Sequence, residues 1–565
     1  MSIREYVITL KNREALDAFY NDMETEGEHL YIPNRAVTLA HRRPLSRNTH
    51  YMLTDSEAEQ IKNDPRVLAV ELTTNELGIY PTPTYTQSSS NWNKSSTINN
   101  THRNWGLYRC TLNSNITNWG TILTPGGSAG TSSVSGTIDI TASGKHVDVI
   151  IVDGHIDPDH PEFAVNPNGT GGTRVIQYNW FQHNPAVTGG PQYNYIYPPY
   201  VDPTYPDENL DGISDRTTDN DHGAHVAGTA CGNTQGWARD ANIYNISPYK
   251  SNINFLSGES IFDYIREFHR TKPINPVTGR KNPTIVNNSW GYLRQQSISS
   301  LVLINYRGQQ INGPFTVAQL NSYGIRTTSN NLNLRAGVRV PSVDADIEDC
   351  TADGIIVVGA AMNESYKIDT AGGEDYNNYL FDQSNRTLYF HRGGTPTASN
   401  TAICVGAVST TADEVKANFS NCGPRIDVYA PGSNIISSIN SNIPTNTYDF
   451  RDEFKYISKF SGTSMASPQV TGVLACLLEI YPNLNQASVT NYLYNTAKIG
   501  VMRDTGGGHT DLFSLQGSAN RFLFYKNERE KTGQILPKAK MNLRPLTGQV
   551  YPRPRIYTYG PQSSV

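Results

Sequence analysis

The stretch that decides the fold is Phe460-Ser461-Gly462-Thr463-Ser464-Met465-Ala466-Ser467-Pro468. Its small residues predict a tight turn that places Ser464 at the beginning of a helix. Apolar residues recur at helical spacing beyond it, at Val470, Val473, Leu474, Leu477 and Leu478. Backbone N–H groups at a helix N-terminus favour developing negative charge, which a nucleophilic serine needs beside it. A serine that only caps a structural helix is the alternative interpretation of this stretch alone.

A serine hydroxyl attacks only when a base takes its proton and a third group holds that base. Two upstream segments supply such groups. His222 lies in DHGAHVAGT (residues 221–229), and Asp153 follows the apolar run VDVIIV (residues 147–152). The run predicts a buried parallel strand, and the carboxyl end of such a strand is where open α/β sheets place their sites.

In their order and context, Asp153, His222 and Ser464 resemble the catalytic residues of the subtilisin-like serine proteases, the subtilases. VDVIIVDGHIDPDHPEF, DHGAHVAGT and FSGTSMASP are similar to that family's aspartate, histidine and serine segments. GIIVVGAAMNE (residues 354–364) resembles the strand that carries its oxyanion asparagine, here Asn363. VNNSWG (residues 286–291) resembles the strand that pairs with substrate, here through Ser289, Trp290 and Gly291. The resemblance covers residues 100–500.

The resemblance implies a serine endopeptidase in which Ser464 attacks, His222 transfers the proton and Asp153 orients His222. Asn363 and the Ser464 N–H would bind the oxyanion, and no cofactor would take part in the chemistry. Two positions depart from the family. Gly154-His155 stand where a Ser or Thr and then Gly are usual, and Met362 replaces the usual Gly before the asparagine. A catalytically weak or inactive binding or structural component, for example of a phage particle, is the alternative function.

Three side chains near these motifs allow other interpretations. His222 and His225 could form a metal pair, but the zinc-protease pattern needs histidines at i and i+4 with a glutamate between them. His225 is therefore predicted to be a packing or supporting residue, and His155 to be structural or exposed. Trp290 is equally consistent with a core aromatic and with a wall of a substrate subsite.

Composition and periodicity divide the chain into four parts. They predict a small α+β domain (1–80), a linker rich in Pro, Thr, Ser and Asn (81–100), a catalytic domain (101–500) and a basic extended tail (501–565). Within the catalytic domain, helices alternate with strands predicted at 147–153, 284–288, 355–360, 402–409 and 426–429. This alternation predicts an α/β fold with a mostly parallel sheet flanked by helices. Two stretches, 164–218 and 292–340, look inserted relative to the family and are expected to rim the cleft.

The N-terminal unit has its own pattern over residues 4–76. Strands are predicted at 6–10, 37–39, 51–53 and 67–72, a helix carries Leu16, Phe19, Tyr20 and Met23 on one face, and Thr54 with Glu57 forms a capping box that begins a second helix. This order resembles the subtilase propeptide. The resemblance implies an intramolecular chaperone and inhibitor that the enzyme removes by cutting itself within 77–100. An unrelated small domain is the alternative.

The first inserted stretch contains a candidate calcium loop. The residues from Asp207 to Asp215 match the loop opening D-x-N-x-D-G-x-x-D, in which glycine permits the sharp turn. The proposed oxygen ligands are Asp207, Asn209, Asp211, Asp215, the carbonyl of Ile213, and Asp219. Thr218 stands where the full loop has a bidentate glutamate, so a weaker, structural Ca2+ site is predicted, with a solvated acidic loop as the alternative.

The overall composition excludes several classes of protein. With 565 residues, 37% hydrophobic and 17% charged, the chain is predicted to be globular, and a net charge of −5 gives no reason to expect nucleic-acid binding. No apolar run reaches membrane-spanning length. Residues 1–5 lack the apolar core of a signal peptide, so export by another route, an intracellular role and association with a virion are all expectations. The six cysteines lie mostly in apolar segments and are predicted to be mostly free thiols.

Overall fold

The structure is a computed structural model that describes most of the chain. The described residues are 3–31, 39–43, 45–74, 76–77, 79, 81–83, 86–87, 105–115, 140–183, 187, 219–247, 260–327, 333–410, 413–440 and 447–528. For 81–83, 86–87, 219–220 and 447 the description concerns the backbone only. The candidate calcium loop, residues 207–215, lies outside the described residues.

A nine-stranded sheet forms the centre of the larger domain. In spatial order its strands are Lys498–Ile499, Arg521–Phe522, Val428–Pro431, Ile403–Val408, Ile356–Ala360, Thr284–Asn288, Asp148–Val152, Asn242–Ile246 and Val175–Ile176. Neighbouring strands are parallel except for the first pair. The strand Asp148–Val152 is buried throughout because alternate side chains enter different cores: Val149 and Ile151 pack on one face, Ile150 and Val152 on the other.

Helices cover both faces of this sheet, as the alternating pattern predicts. One core receives the helices Trp105–Thr111, Asp219–Cys231, Thr463–Ile480 and Gln486–Thr496. The other receives Trp180–His183, Ile261–Thr271 and Pro341–Ala352. The observed α/β architecture therefore confirms the predicted fold class, with strand ends within one or two residues of those predicted.

The N-terminal unit is a four-stranded antiparallel sheet with two helices. Its strands lie in the order Leu39–Arg42, Asn48–Leu53, Arg4–Leu10 and Val67–Leu72, and its helices are Leu16–Glu24 and Asp55–Ile61. The capping box of Thr54 and Glu57 is present. A separate core includes Leu16, Phe19 and Met23 from the predicted helix face. The strand predicted at 37–39 is observed from Leu39 onward, since 32–38 lie outside the described residues.

The second inserted stretch folds into structure of its own. It contains the strands Leu301–Tyr306, Gln309–Asn312 and Asn333–Gly337, most of the strand Trp290–Ser297, and the helix Val317–Ser322. Leu301–Tyr306 pairs with the later strand Tyr379–Asp382, which in turn pairs with Thr387–Tyr389. A small hydrophobic core with Ile304, Leu320 and Phe390 holds this module together. Short 3-10 helices occur at Arg13–Ala15, Pro161–Phe163 and Ile298–Ser300.

The remaining strands form a ribbon beside the serine helix. Ile435–Ile439 and Thr447–Asp449 pair with Asp452–Ser461, and the last of these also pairs with Thr86–Gln87. Pro81–Pro83 pairs with Trp290–Ser297. Part of the predicted linker is therefore extended strand that contacts the larger domain.

The extended tail predicted from residue 501 does not begin there. Residues 501–528 pack on the domain: Arg521–Phe522 is a strand of the central sheet, and Met502, Leu515 and Tyr525 are buried in the core. These apolar residues are too widely spaced to show helical or strand periodicity, so no local pattern predicts their burial. Residues 529–565 lie outside the described part of the chain.

All six cysteines are buried free thiols, in agreement with the prediction. None of the helices that the structure describes has both the length and the apolar character needed to cross a bilayer.

Candidate active site

Asp153 and His222 form a buried, hydrogen-bonded pair. Asp153 directly follows the strand Asp148–Val152, and His222 lies in the first turn of the helix Asp219–Cys231. The Nδ1–H of His222 donates to Asp153 Oδ1 at 2.7 Å, and the Gly154 N–H donates to the same oxygen at 2.8 Å. An added Cβ on Gly223 would lie 2.0 Å from the Gly154 carbonyl oxygen. Glycine at 223 is therefore what lets the histidine helix approach the aspartate.

Ser464 is the second residue of the long helix Thr463–Ile480 and is fully buried. Its hydroxyl donates to the Ser289 carbonyl at 2.9 Å, and the Ser289 hydroxyl donates back to the Ser464 carbonyl at 2.9 Å. The serine helix packs against the helix that carries His222. This close packing needs Gly472, because an added Cβ there would lie 2.6 Å from the Ala230 carbonyl oxygen. His222 and Ser464 thus lie at the first turns of two helices in contact.

A side-chain network holds the beginning of the serine helix against the central sheet. The hydroxyls of Ser467 and Thr471 both donate to Asn287 Oδ1 at 2.9 Å, and Asn287 Nδ2 donates to Ser289 Oγ at 3.0 Å. All of these groups are buried, so each bond is worth more than it would be in water. The network fixes the position of Ser289 relative to Ser464.

Asn363 lies beside the first turn of the serine helix. Its Oδ1 accepts hydrogen bonds from the N–H and the hydroxyl of Thr463, both at 2.8 Å. Because the oxygen is held by Thr463, the NH2 end of the amide is the part oriented to donate to a bound group. The side chain and the helix N-terminus together can therefore stabilise a negative charge next to Ser464.

The residues predicted to bind substrate form the start of a strand. The backbone of Trp290, Gly291 and Tyr292 pairs in antiparallel fashion with Pro83, Thr82 and Pro81, respectively. The Trp290 side chain is buried in the core against Tyr292, with ring centroids 5.5 Å apart. This finding decides between the two interpretations of Trp290: its ring is a core aromatic, and only its backbone faces the paired strand.

His225 packs inside the domain, whereas His155, predicted to be structural or exposed, is half-buried. The His225 ring stacks on Phe460 with centroids 4.3 Å apart, and its Nε2 lies 3.0 Å from the Ile435 carbonyl oxygen. Burial lowers the pKa of His225 to about 3 and that of His155 to about 4, so both are neutral imidazoles at neutral pH. Among the described residues no cluster of His, Cys, Asp and Glu could hold a metal ion.

Of the proposed calcium ligands, only Asp219 lies within the described residues, and only through its backbone at the start of the histidine helix. Asp207, Asn209, Asp211, Ile213 and Asp215 lie outside them. The calcium site stays a prediction.

Glu364 and two arginines next to Asn363 were missed by the sequence reasoning. A cavity of about 360 Å³ contacts Asn363 and is lined by Arg326, Arg335 and Glu364, among others. Burial raises the pKa of Glu364 to about 7 although the nearby charge of Arg335 opposes the shift, and its carboxylate accepts the Asn363 N–H at 3.0 Å. The position of Glu364 directly after Asn363 was a usable signal, whereas the arginines belong to the inserted module. A larger cavity of about 690 Å³, near Gln486 and Tyr494, contacts none of the candidate catalytic residues.

The chain is similar to known proteins. A model of the Subtilase family matches residues 144–522. Subtilisin DY of Bacillus licheniformis is 33% identical over 151 residues, which cover 27% of this chain and 42% of that protein. The M-protease of Shouchella clausii is 28% identical over 235 residues, covering 40% of this chain and 49% of that protein. The chain thus spans less than half the length of these two relatives. The solved structure of fervidolysin from Fervidobacterium pennivorans, described as a keratinolytic enzyme related to subtilisin, aligns with a TM-score of 0.45 at 15% identity, covering 92% of this chain and 60% of that one.

Proposed function

Since the chain belongs to the subtilase family, we propose that it is a serine endopeptidase in which Asp153, His222 and Ser464 form the catalytic triad. Its substrates are proteins or peptides, and it needs no cofactor for the chemistry. The observation that carries the proposal is the Asp153–His222 pair beside a serine helix whose first turn is flanked by paired peptide strands. Neither the Asp153–His222 pair nor the serine helix alone would support the proposal, because each of them also occurs in proteins where it is only structural.

The reaction begins when the Ser464 hydroxyl turns from the Ser289 carbonyl towards His222. His222 takes the proton as Ser464 Oγ attacks the substrate carbonyl carbon, and later gives that proton to the leaving amine. Asp153 keeps the imidazole in the tautomer that carries the proton on Nδ1 and stabilises the imidazolium that forms. The hydrogen bond between His222 and Asp153 is fully buried and stabilises this orientation of the imidazole, since another rotamer of His222 would leave the Asp153 carboxylate buried without this partner.

The oxyanion of the tetrahedral intermediate is stabilised by the Asn363 amide NH2 and the Ser464 backbone N–H. The bonds from Thr463 to Asn363 Oδ1 support this role, because they set the amide before substrate arrives. Preorganised donors of this kind cost no reorganisation during the reaction.

Substrate binds as an added antiparallel strand along Ser289, Trp290 and Gly291. The chain's own residues 81–83 pair with this strand, and residues 86–87 pair with Ser461 and Phe460 on the other side of Ser464. Recognition is therefore largely through main-chain hydrogen bonds, as in other β-strand additions.

The same pairing supports self-processing of the N-terminal unit. In the sequence, only Thr84 and Tyr85 separate the two paired segments. We therefore propose that the enzyme cuts its own chain between Pro83 and Thr86. Pro83 lies opposite Trp290, so the next substrate position falls opposite Ser289, whose carbonyl accepts the Ser464 hydroxyl. We therefore assign the scissile bond to Thr84–Tyr85. Residues 1–84 then act as an intramolecular chaperone and inhibitor.

The alternative of an inactive binding or virion component receives no support from the comparisons. Met362 and His155, which motivated it, leave the Asp153–His222 hydrogen bond and the hydrogen bonds from Thr463 to Asn363 in place.

The proposal is tested by labelling the purified protein with a fluorophosphonate probe and by following hydrolysis of casein. Wild type should take up one probe per active site, on Ser464, and hydrolyse casein. Ser464→Ala should do neither while keeping its melting temperature. Ser514→Ala, which removes a buried hydroxyl outside this network, is the control and should still react with the probe. Equal hydrolysis by wild type and Ser464→Ala would refute the proposal.

A further inference from the structure

Met362 directly precedes the candidate oxyanion residue Asn363, and neither the triad nor the oxyanion site uses its side chain. It is 1% exposed and has a φ of 75°, a left-handed conformation that favours glycine. Contacts with the surrounding structure must hold a non-glycine residue at such a φ, because this conformation is unfavourable by itself.

The Met362 thioether lies between two glycines. A Cβ added to Gly291 would lie 2.9 Å from Met362 Sδ, and one added to Gly394 would lie 2.6 Å from it. Gly291 belongs to the strand that pairs with residues 81–83, and Gly394 precedes Thr395, whose carbonyl accepts the Tyr292 N–H at 3.0 Å. The methionine thus fills the space between the substrate-pairing strand and the segment behind it.

The direction of a Cβ on Gly291 shows which substrate side chains meet this methionine. Residues directly opposite each other in an antiparallel pair project to the same face, and side chains two residues apart share a face. The substrate residue opposite Gly291 therefore projects towards Met362, and so does the residue two positions on, opposite Ser289. That second residue is the one whose carbonyl Ser464 attacks.

We infer that Met362 determines specificity by restricting the residue before the scissile bond to a small side chain such as Ala, Ser or Thr. The inference rests on the proposed endopeptidase function and deepens it. A large aromatic side chain at this position must displace a buried thioether that is packed against two backbone segments. The chain's own sequence agrees, since the residue that precedes the assigned scissile bond is Thr84.

The test measures kcat/KM for a series of peptide p-nitroanilides that differ only in the residue before the cleaved bond: Ala, Thr, Leu and Phe. Self-processed protein is used, with active sites counted by fluorophosphonate titration. For wild type, kcat/KM should be higher for the Ala substrate than for the Phe substrate by about tenfold or more, because the pocket is too small for a side chain with several additional carbon atoms. Met362→Gly should reverse the ratio, because the side chain is removed and the left-handed φ is then unstrained.

Two further variants separate specificity from folding. Met362→Leu keeps a side chain of similar volume and should retain the preference for Ala. Met502→Ala truncates a methionine that is equally buried (2% exposed) in the hydrophobic core, and should leave the Phe/Ala ratio at the wild-type value. A wild type that titrates fully but cleaves after Phe as well as after Ala would overturn the inference and leave the endopeptidase proposal intact. A wild type that does not react with the probe would overturn both.

Discussion

Arg43→Ala is predicted to release the N-terminal unit from the catalytic domain. Arg43 is 1% exposed and reaches from the N-terminal unit to two carboxylates of the larger domain. Its Nε–H donates to Asp263 at 2.7 Å and its Nη2 donates to Asp346 at 2.6 Å. Asp263 lies on the helix Ile261–Thr271 and Asp346 on the helix Pro341–Ala352, and both are at most 2% exposed. The guanidinium therefore joins two helices to the N-terminal unit inside a buried interface.

Removing the guanidinium leaves two buried carboxylates facing each other without a cation. Breaking one buried ion pair in this way costs about 3–5 kcal/mol, because the remaining charge stays desolvated. Burial already raises the pKa of Asp346 against the opposing charge of Arg43, which shows how unfavourable an ionised Asp346 is at this site. Protonation of one carboxylate offsets part of the cost. A loss of about 3 kcal/mol corresponds to a dissociation constant raised by two orders of magnitude.

The assay uses self-processed enzyme, in which the proposed inhibitor unit is expected to stay bound without a covalent link. Serial dilution should release the unit, and the regained hydrolysis of a peptide p-nitroanilide then gives its dissociation constant. Arg42→Ala is the matched control, since the neighbouring Arg42 pairs with Glu24 at 2.5 Å within the N-terminal unit and is 48% exposed. An exposed pair contributes under about 1 kcal/mol, so the control should change the dissociation constant by less than about fivefold.

Combining Arg43→Ala with Asp346→Asn should recover part of the lost affinity, because one of the two unpaired charges is then removed. The reasoning is refuted if Arg43→Ala weakens the unit no more than Arg42→Ala does. It is also refuted if adding Asp346→Asn to Arg43→Ala weakens the unit further.

Three other changes have expected outcomes. Asn363→Ala should lower kcat by about 10²–10³-fold with little change in KM, because the Asn363 amide donates to the oxyanion formed in the transition state. Steady-state kinetics measure both constants, and a changed KM with unchanged kcat would contradict the prediction. Glu364→Gln should raise the melting temperature of inactive Ser464→Ala protein at pH 8 but not at pH 4. The pKa of Glu364 is about 7 in the folded protein and 4.5 in the unfolded chain, so this carboxyl lowers the stability of the folded protein as the pH rises from 4.5 to 7. An equal change in melting temperature at both pH values would contradict this. Calcium should raise the melting temperature of wild type but not that of Asp211→Ala, because it binds the folded state at this loop. Calorimetry with calcium or with EDTA measures the shift, and identical shifts in both proteins would contradict the predicted site.

The central sheet was predictable because its signals are local, and the candidate catalytic residues stand in equally local motifs. Strand Asp148–Val152 is a continuous apolar run, and Ser464 begins a helix marked by small residues and a helical apolar period. The approach of Gly223 to Gly154 and of Gly472 to Ala230 explains why glycines recur in those motifs. Because these close backbone contacts require glycine, they can be recognised as glycine positions in the sequence.

The inserted module and the interface of the N-terminal unit were not predictable in the same way. Strand Leu301–Tyr306 pairs with Tyr379–Asp382, which is more than 70 residues away, and no local pattern encodes such a partner. Arg43 meets Asp263 and Asp346 only after both domains have folded and docked. The role of Met362 likewise depends on two glycines that are distant from it in sequence.

Intact-mass measurement of purified wild-type and Ser464→Ala proteins tests the central claim most directly. The claim is that Ser464 is the nucleophile of an endopeptidase that cuts its own chain. Wild type should give two masses, corresponding to residues 1–84 and to a fragment that begins at Tyr85, while Ser464→Ala should give the single mass of the uncut chain. Intact wild type, or the same cleavage in Ser464→Ala, would contradict the account.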